Sequence, residues 1–326
     1  MPGYSNFTNG FANGVLMRGL PITQTHPGKV FWVSNASTIQ QGQRGGSNGN
    51  RGTFDAPFGT LEYALSQCTA NRGDIIYIKP GHAESVISAT ALNFDVAGVS
   101  IVGLGTGTKR PTFTFTTANT ATIPVTADNM SVSNCKFVGN FLSIASCFTV
   151  AAAADFVIDN CDFSDTSATL GFLSIVTTTV SVNADGLTYT NNQRKSDATT
   201  SPGPDLVIAG TMSRLRVNGN KSIHTVASNN VAALIEHGAL VMTNAEVIGN
   251  LVYSVNTDTA TGAILVKTTA TTGSGIIAHN RIRALDVAGA IVVTAAAVQY
   301  GMFDNLYTGE TTLLSGFVLP AIATDA

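Results

Sequence analysis

Val132-Ser133-Asn134-Cys135-Lys136-Phe137 is followed, 26 residues later, by Ile158-Asp159-Asn160-Cys161-Asp162-Phe163, with aliphatic, Asn, Cys and Phe positions matched. Asn recurs after short apolar runs at Asn191, Asn220, Asn250, Asn280 and Asn305, so the steps from Asn134 onward are 26, 31, 29, 30, 30 and 25. A period of about 30 residues is the mark of stacked units. The units are strand-like. Phe113 and Phe115, and Leu187 and Tyr189, alternate with Thr at a period of two, and the charged outer face a helical repeat needs is missing.

Two or three short strands per unit, each pairing with its equivalent one unit later, give a parallel β-helix. At a bend between strands one residue takes a left-handed conformation, which Asn tolerates better than any residue but Gly. Asn134, Asn160, Asn191, Asn220, Asn250, Asn280 and Asn305 are therefore read as one structural ladder, stacked turn on turn. The bend changes the in/out parity, so that Ile158 and Phe163 both face inward.

Composition agrees. Charged residues are 11% of the 326 and the net charge is −3, so the electrostatic footprint of a nucleic-acid-binding protein is missing. Uncharged runs such as 138–154 and 166–184 are rich in Ser and Thr and alternate, which argues against membrane spans. No secretory signal is visible at the N-terminus. Cys68, Cys135, Cys147 and Cys161 lack metal-ligand spacing; Cys135 and Cys161 stack, as packed thiols of a reducing cytosol or as an inter-turn disulfide.

Along the chain, 1–50 reads as an N-terminal arm, a first strand (29–34) and a Gly/Asn-rich loop (40–52). Residues 51–73 read as a capping helix, 74–312 as the parallel β-helix of about nine or ten turns, roughly 45 Å long, and 313–326 as a C-terminal cap or tail. Phe58, Leu61, Leu65 and Cys68 lie on one face of an amphipathic helix spanning about 58–70, with Thr60 as N-cap. The arm carries Tyr4, Phe7, Phe11, Val15, Leu16 and Met17 without periodicity. Apolar residues with no core of their own mark an interface.

Gly52-Thr53, Gly59-Thr60-Leu61 and Ala64, then Gly73-Asp74-Ile75-Ile76-Tyr77-Ile78 with Pro80-Gly81, then Gly98-Val99-Ser100-Ile101-Val102-Gly103 with Arg110-Pro111, resemble the capping helix and first turns of the pectate-lyase-like right-handed parallel β-helix superfamily. The Asn/Gly-rich arm and Gln24-Thr25-His26-Pro27-Gly28-Lys29-Val30-Phe31-Trp32-Val33 resemble a group of tailed-bacteriophage virion proteins. That resemblance implies an all-β virion structural protein made in the host cytoplasm. It implies attachment to the major capsid protein at the capsid surface through the arm, and a parallel homotrimer. A tail-associated spike that binds or degrades host surface glycan is the alternative.

Enzymes of that superfamily use clustered acids on one outer sheet, and glycoside hydrolysis needs two carboxylates about 5 to 10 Å apart. Asp155, Asp159, Asp162 and Asp165 form the densest acidic run, but Asp159 and Asp162 flank the Asn160 bend and suit capping of its backbone. Glu236-His237 is read as a solvated bend, and His82 with Glu84 as a polar turn. Gly103-Leu104-Gly105-Thr106-Gly107 lacks the spacing of a nucleotide loop. Trp32 is the single Trp, short of what a sugar groove is lined with. The sequence therefore predicts no catalytic residue, no metal and no cofactor.

Overall fold

The computed structural model describes residues 16–17, 20–21, 28–36, 43–179, 184–197, 203–225, 233–238, 241–254, 264–268, 273–284, 290–294 and 299–308. Tyr4, Phe7, Phe11 and Val15 lie outside them, as does 313–326. Leu16–Met17 pairs antiparallel with Leu20–Pro21.

The rest is a parallel β-solenoid of three sheets. Among the described residues sheet I has eleven strands, from Val30–Val33 to Gln299–Phe303; sheet II has nine, from Ala83–Val86 to Leu306–Thr308; sheet III has seven, from Ile123–Val125 to Ala290–Thr294. One turn runs Ser131–Ser133 in sheet I, Lys136–Gly139 in sheet II and Ile144–Val150 in sheet III. Each strand pairs with its equivalent in the next turn, as Ile158 does with Val132 and Phe163 with Phe137. Among the described residues the seven strands of sheet III limit the turns closed on all three sides, so these are fewer than the nine or ten the spacing predicts.

Left-handed residues shape the cross-section. In five successive turns two of them stand five residues apart along sheet I: Asn129 and Asn134, Asp155 and Asn160, Gly186 and Asn191, Arg214 and Gly219, Asn244 and Gly249. The second bend separates the predicted ladder into two adjacent columns. Asn134, Asn160 and Asn191 are the left-handed residues themselves, with φ of 54°, 50° and 55°. In later turns Gly219, Gly249, His279 and Asp304 take that place. Asn220, Asn250, Asn280 and Asn305 stand one position on, buried, where earlier turns have Cys135, Cys161 and Asn192. The cause is Asn191-Asn192, a doublet whose first member ends one column and whose second begins the other.

The inner column is the ladder in the strict sense. Asn250 Nδ2 donates to Val217 O at 2.7 Å and to Asn280 Oδ1 at 2.9 Å, while its own Oδ1 accepts from Asn220 N and Nδ2, each at 3.0 Å. The pattern repeats through Asn280 to Asn305. The outer Asn do not form one continuous chain: Asn160 Nδ2 reaches Asn134 Oδ1 at 3.3 Å, whereas Asn134 Nδ2 donates to Gly103 O at 2.7 Å and Asn191 Nδ2 to Asp159 Oδ1 at 2.8 Å.

Apolar columns fill the space within. Ile76, Ile101, Val132, Ile158, Tyr189, Val217, Val247 and Ile277 stack along sheet I. Phe113, Phe137 and Phe163 stack along sheet II, with ring centroids 5.6 and 5.3 Å apart; offset pairs of this kind contribute about 0.5–1.5 kcal/mol beyond burial. Gly103 sits at a close approach of two turns, since a Cβ there would meet Asn134 O at 2.3 Å.

The one α-helix among the described residues is Leu61–Ser66, much shorter than the expected 58–70. Thr60 Oγ1 accepts from Tyr63 N, as an N-cap does, and Leu61, Ala64 and Leu65 are buried against Val30–Val33 and Ile75–Ile78. It stops early because Asp74 takes the chain out of register: its carboxylate accepts from Thr69 N at 2.8 Å, from Lys29 N and from Arg72. Val30–Val33, placed by the sequence ahead of the β-helix, is its terminal strand in sheet I.

The two columns differ in what substitution costs. Asn250→Ala orphans several buried groups at about 1–3 kcal/mol each, so chemical denaturation is expected to show a loss of at least about 3 kcal/mol. Asn191→Gly, at an exposed left-handed bend that suits Gly, is expected to stay within about 0.5 kcal/mol of the parent. Equal losses would contradict the two-column assignment.

Candidate functional site

The acidic run of the sequence is dispersed by the fold. Asp155 Oδ1 pairs with Arg214 at 3.0 Å. Asp159 Oδ1 accepts from Thr190 Oγ1 and Asn191 Nδ2, both at 2.8 Å. Asp162 pairs with Arg110 at 2.7 Å on sheet II. Asp165 points inward, accepting from Ser196 Oγ at 2.6 Å and Phe172 N at 3.1 Å, and burial pushes its carboxyl up. Each carboxylate ties to a neighbouring part of the winding. Among the described residues no three His, Cys, Asp or Glu side chains form a metal-holding group.

The other predicted sites resolve similarly. His82 is buried; its Nε2 lies 3.0 Å from Glu84 Oε2, which accepts from Leu61 N, the first N–H of the helix. Glu236-His237 is not a solvated bend: both lie within strand Ala233–His237 of sheet III, with His237 buried. The four cysteines are free thiols. Burial pushes Cys161 up to about 12, so it is held as the unreactive thiol.

Two surface features stand out on sheet I. The first is a groove where Arg214 takes a left-handed φ of 58°, unusual for a long side chain, and reaches over Gly186 to Asp155. Gly186 is what permits the clasp, since a Cβ there would lie 2.0 Å from Asp155 Oδ1. Arg216 and Glu246, paired at 3.2 Å, continue the groove. The second is a pocket at the N-terminal end. There Trp32 stands in register with Tyr77, ring centroids 5.1 Å apart, and the loop 43–58 folds Phe54 edge-on against it at 4.9 Å.

No protein-family model matches the sequence, and no curated protein is significantly similar to it. Similarity is found among solved structures. A rhamnogalacturonan lyase superimposes with a TM-score of 0.54 at 13% identity, over 78% of this chain and 68% of that one. The pectate lyase Pel9A gives 0.37 at 11% identity, over 85% and 78%. PfbA, a surface adhesin of Streptococcus pneumoniae, gives 0.37 at 10% identity, over 74% and 80%. The fold, a parallel β-helix, is shared with the rhamnogalacturonan lyase. At these identities the likeness concerns fold alone.

Within that β-helix lies a group the sequence reading missed. Phe163 of the aromatic column pairs in the next turn with Arg194, a fully buried guanidinium. It bonds to Asp205 Oδ1 at 3.1 Å and to the carbonyls of Gly203 and Phe172 at 2.9 and 3.0 Å. Asp205 also accepts from Ser222 Oγ at 2.8 Å, and Ser222 meets His224 Nε2 at 3.1 Å. Burial pushes Asp205 up against the pull of Arg194, and pushes His224 down to about 3. No alternation could have announced this: Gln193-Arg194-Lys195-Ser196 is polar at inward and outward positions alike.

The imidazole of His224 has a folded-state value below its ordinary 6.5, so its neutral form is favoured by folding. Its contribution is present above pH 6.5 and is lost as the pH falls toward about 3, because the unfolded chain binds the proton more readily. Asp165 and Asp205, with raised values, act in the opposite sense. Comparison of the protein with His224→Gln isolates the imidazole: between pH 6 and 4 the parent should lose stability relative to the variant, by up to about 1.4 kcal/mol per pH unit. Parallel profiles would show that His224 titrates freely in the folded state.

Proposed function

We propose that this chain is a non-enzymatic structural protein of a tailed-bacteriophage virion. It decorates the capsid surface as a parallel homotrimer, bound to the major capsid protein through the N-terminal segment that includes Tyr4, Phe7, Phe11, Val15, Leu16 and Met17. The supporting observation is the use made of the acidic run. Asp155, Asp159, Asp162 and Asp165 each engage a partner within the solenoid, and no two of them share one. Carboxylates committed to holding turns together serve a structural rod; glycoside hydrolysis needs two directed at one bond.

Deletion of residues 2–20 should abolish incorporation into particles while leaving a folded β-solenoid by circular dichroism. Electron microscopy of intact particles should place the protein on the head. Normal incorporation of the truncated chain would remove the attachment reading. Density at the tail tip, or cleavage of host polysaccharide lost on Asp159→Asn with Asp162→Asn, would replace the proposal with a tail-associated receptor-binding or polysaccharide-degrading role.

A further inference from the structure

The pocket beside Trp32 contains a charge that the fold alone does not account for. Lys79 follows strand Ile75–Ile78, and its side chain turns under the loop 43–58, leaving it only 8% exposed. Its ammonium lies 4.0 Å from the centroid of the Phe54 ring and donates to Gln43 Oε1 at 3.1 Å and to Phe54 O. Both acceptors are neutral. Asp55 acts on it only through space, and burial pulls its titration below that of an ordinary lysine. An ammonium carries three donors, and among the described residues two are engaged. Burying a charge without a counter-ion is costly, whereas every other buried cation or acid described above has a bonded partner of opposite charge or a set of hydrogen-bond donors.

The surroundings specify what would complete it. Trp32 and Phe54 form an aromatic wall, Phe54 being 47% exposed. Arg44, exposed, stands at the rim. Leu104 and Pro57 supply further apolar lining, and Ser34 a hydroxyl. Sites of this type, with an apolar wall and a few convergent polar groups, take small molecules. We propose that this pocket binds a small organic carboxylate, its anionic group on Lys79 Nζ with Arg44 in support and its body against Trp32 and Phe54. The site is independent of capsid attachment, since it is built from the loop 43–58 and the first strands of sheet I.

Trp32 is the single Trp of the chain, so its fluorescence reports on this pocket without labelling. The full chain is titrated with benzoate, glucuronate, glucose and inorganic phosphate. Saturable changes are expected for one or both carboxylates, at least tenfold tighter than for glucose or phosphate. A preference for benzoate identifies a planar apolar body, and one for glucuronate a sugar ring; either supports the site. Lys79→Met should weaken binding at least tenfold, with Lys79→Arg retaining most of it. Because Lys79 also anchors the loop, folding is checked by circular dichroism. If Lys79→Met does not fold, Arg44→Ala decides the matter, with an expected loss of about threefold or more. The proposal is overturned by no saturable response to either carboxylate, by phosphate or glucose binding as tightly, by undiminished affinity in a folded Lys79→Met, or by an unaffected Arg44→Ala where that variant decides.

Discussion

A polar amide can be buried at every turn of a solenoid only if the turn above and the turn below complete its hydrogen bonds, and that requirement governs this structure. From Asn192 to Asn305 each inner Asn accepts the backbone N–H of its predecessor and, from Asn250 on, its side-chain amide as well; each gives its own amide to a carbonyl, and Asn220, Asn250 and Asn280 also to their successor. A slip of one residue would put the amide outside and an apolar residue at the bend. The ladder thus fixes the register of sheets I and II at their shared corner, and the paired left-handed residues five apart fix the angle there. The turns vary in length elsewhere, but this corner is kept constant.

The inside of the winding changes character along its length. Up to Phe163 it is a stack of rings and aliphatics, which gains from burial and constrains little, because any apolar residue of similar volume would serve. From Arg194 it contains an ion pair, hydroxyls and an imidazole, with the corner position passing from Cys161 to Asn192 in the same turn. A buried pair is weak support for stability, since desolvation offsets much of its attraction. Its geometric demand is strong. Arg194 binds Gly203, Asp205 and Phe172, and so joins the sheet II strand to strand Phe172–Thr178 of sheet III and to the residues that lead into Leu206–Ile208. The two halves solve one problem, keeping adjacent turns aligned, by different chemistry.

How much of this the sequence discloses follows from what kind of signal each feature leaves. The parallel β-fold was legible because Asn134-Cys135 and Asn160-Cys161 repeat with an unbroken flank, and a bend residue with a restricted φ is hard to replace. The division of the ladder was not, because Asn191-Asn192 places the same residue type in both columns and Gly takes over the outer one afterwards. Leu61–Ser66 was overextended because the helical spacing continues through Cys68, whereas the fold gives Thr69 N to Asp74, a contact made across the end of the sheet. Asp155 to Asp165 were legible as bend residues, but their partners Arg214, Thr190, Arg110 and Ser196 lie 31 or more residues away. The Trp32 pocket was illegible in a deeper sense. Trp32, Phe54, Tyr77 and Lys79 meet only because Val30–Val33 joins sheet I, and nothing in its own four residues says which sheet it will extend.

A periodic structure has little freedom left for specific chemistry. In the turns from Ser131 onward the groups that could bind or catalyse are largely enlisted in holding one turn to the next: Asp159 to Thr190, Asp155 to Arg214, Asn218 to Glu246, Asn250 to Asn280. Removing any of them for a ligand would expose a gap in the stack. Departures from the period escape that constraint. The loop 43–58 is such a departure, folded along the free edge of the terminal strand, where Trp32 N and Ser34 N donate to Gly52 O and Phe58 O. It protects an edge that would otherwise pair with another chain, and in doing so brings together an aromatic wall, a rim guanidinium and an ammonium with no bonded carboxylate among the described residues. Regular turns give the rod its register; the capacity to recognise something small resides where the register ends.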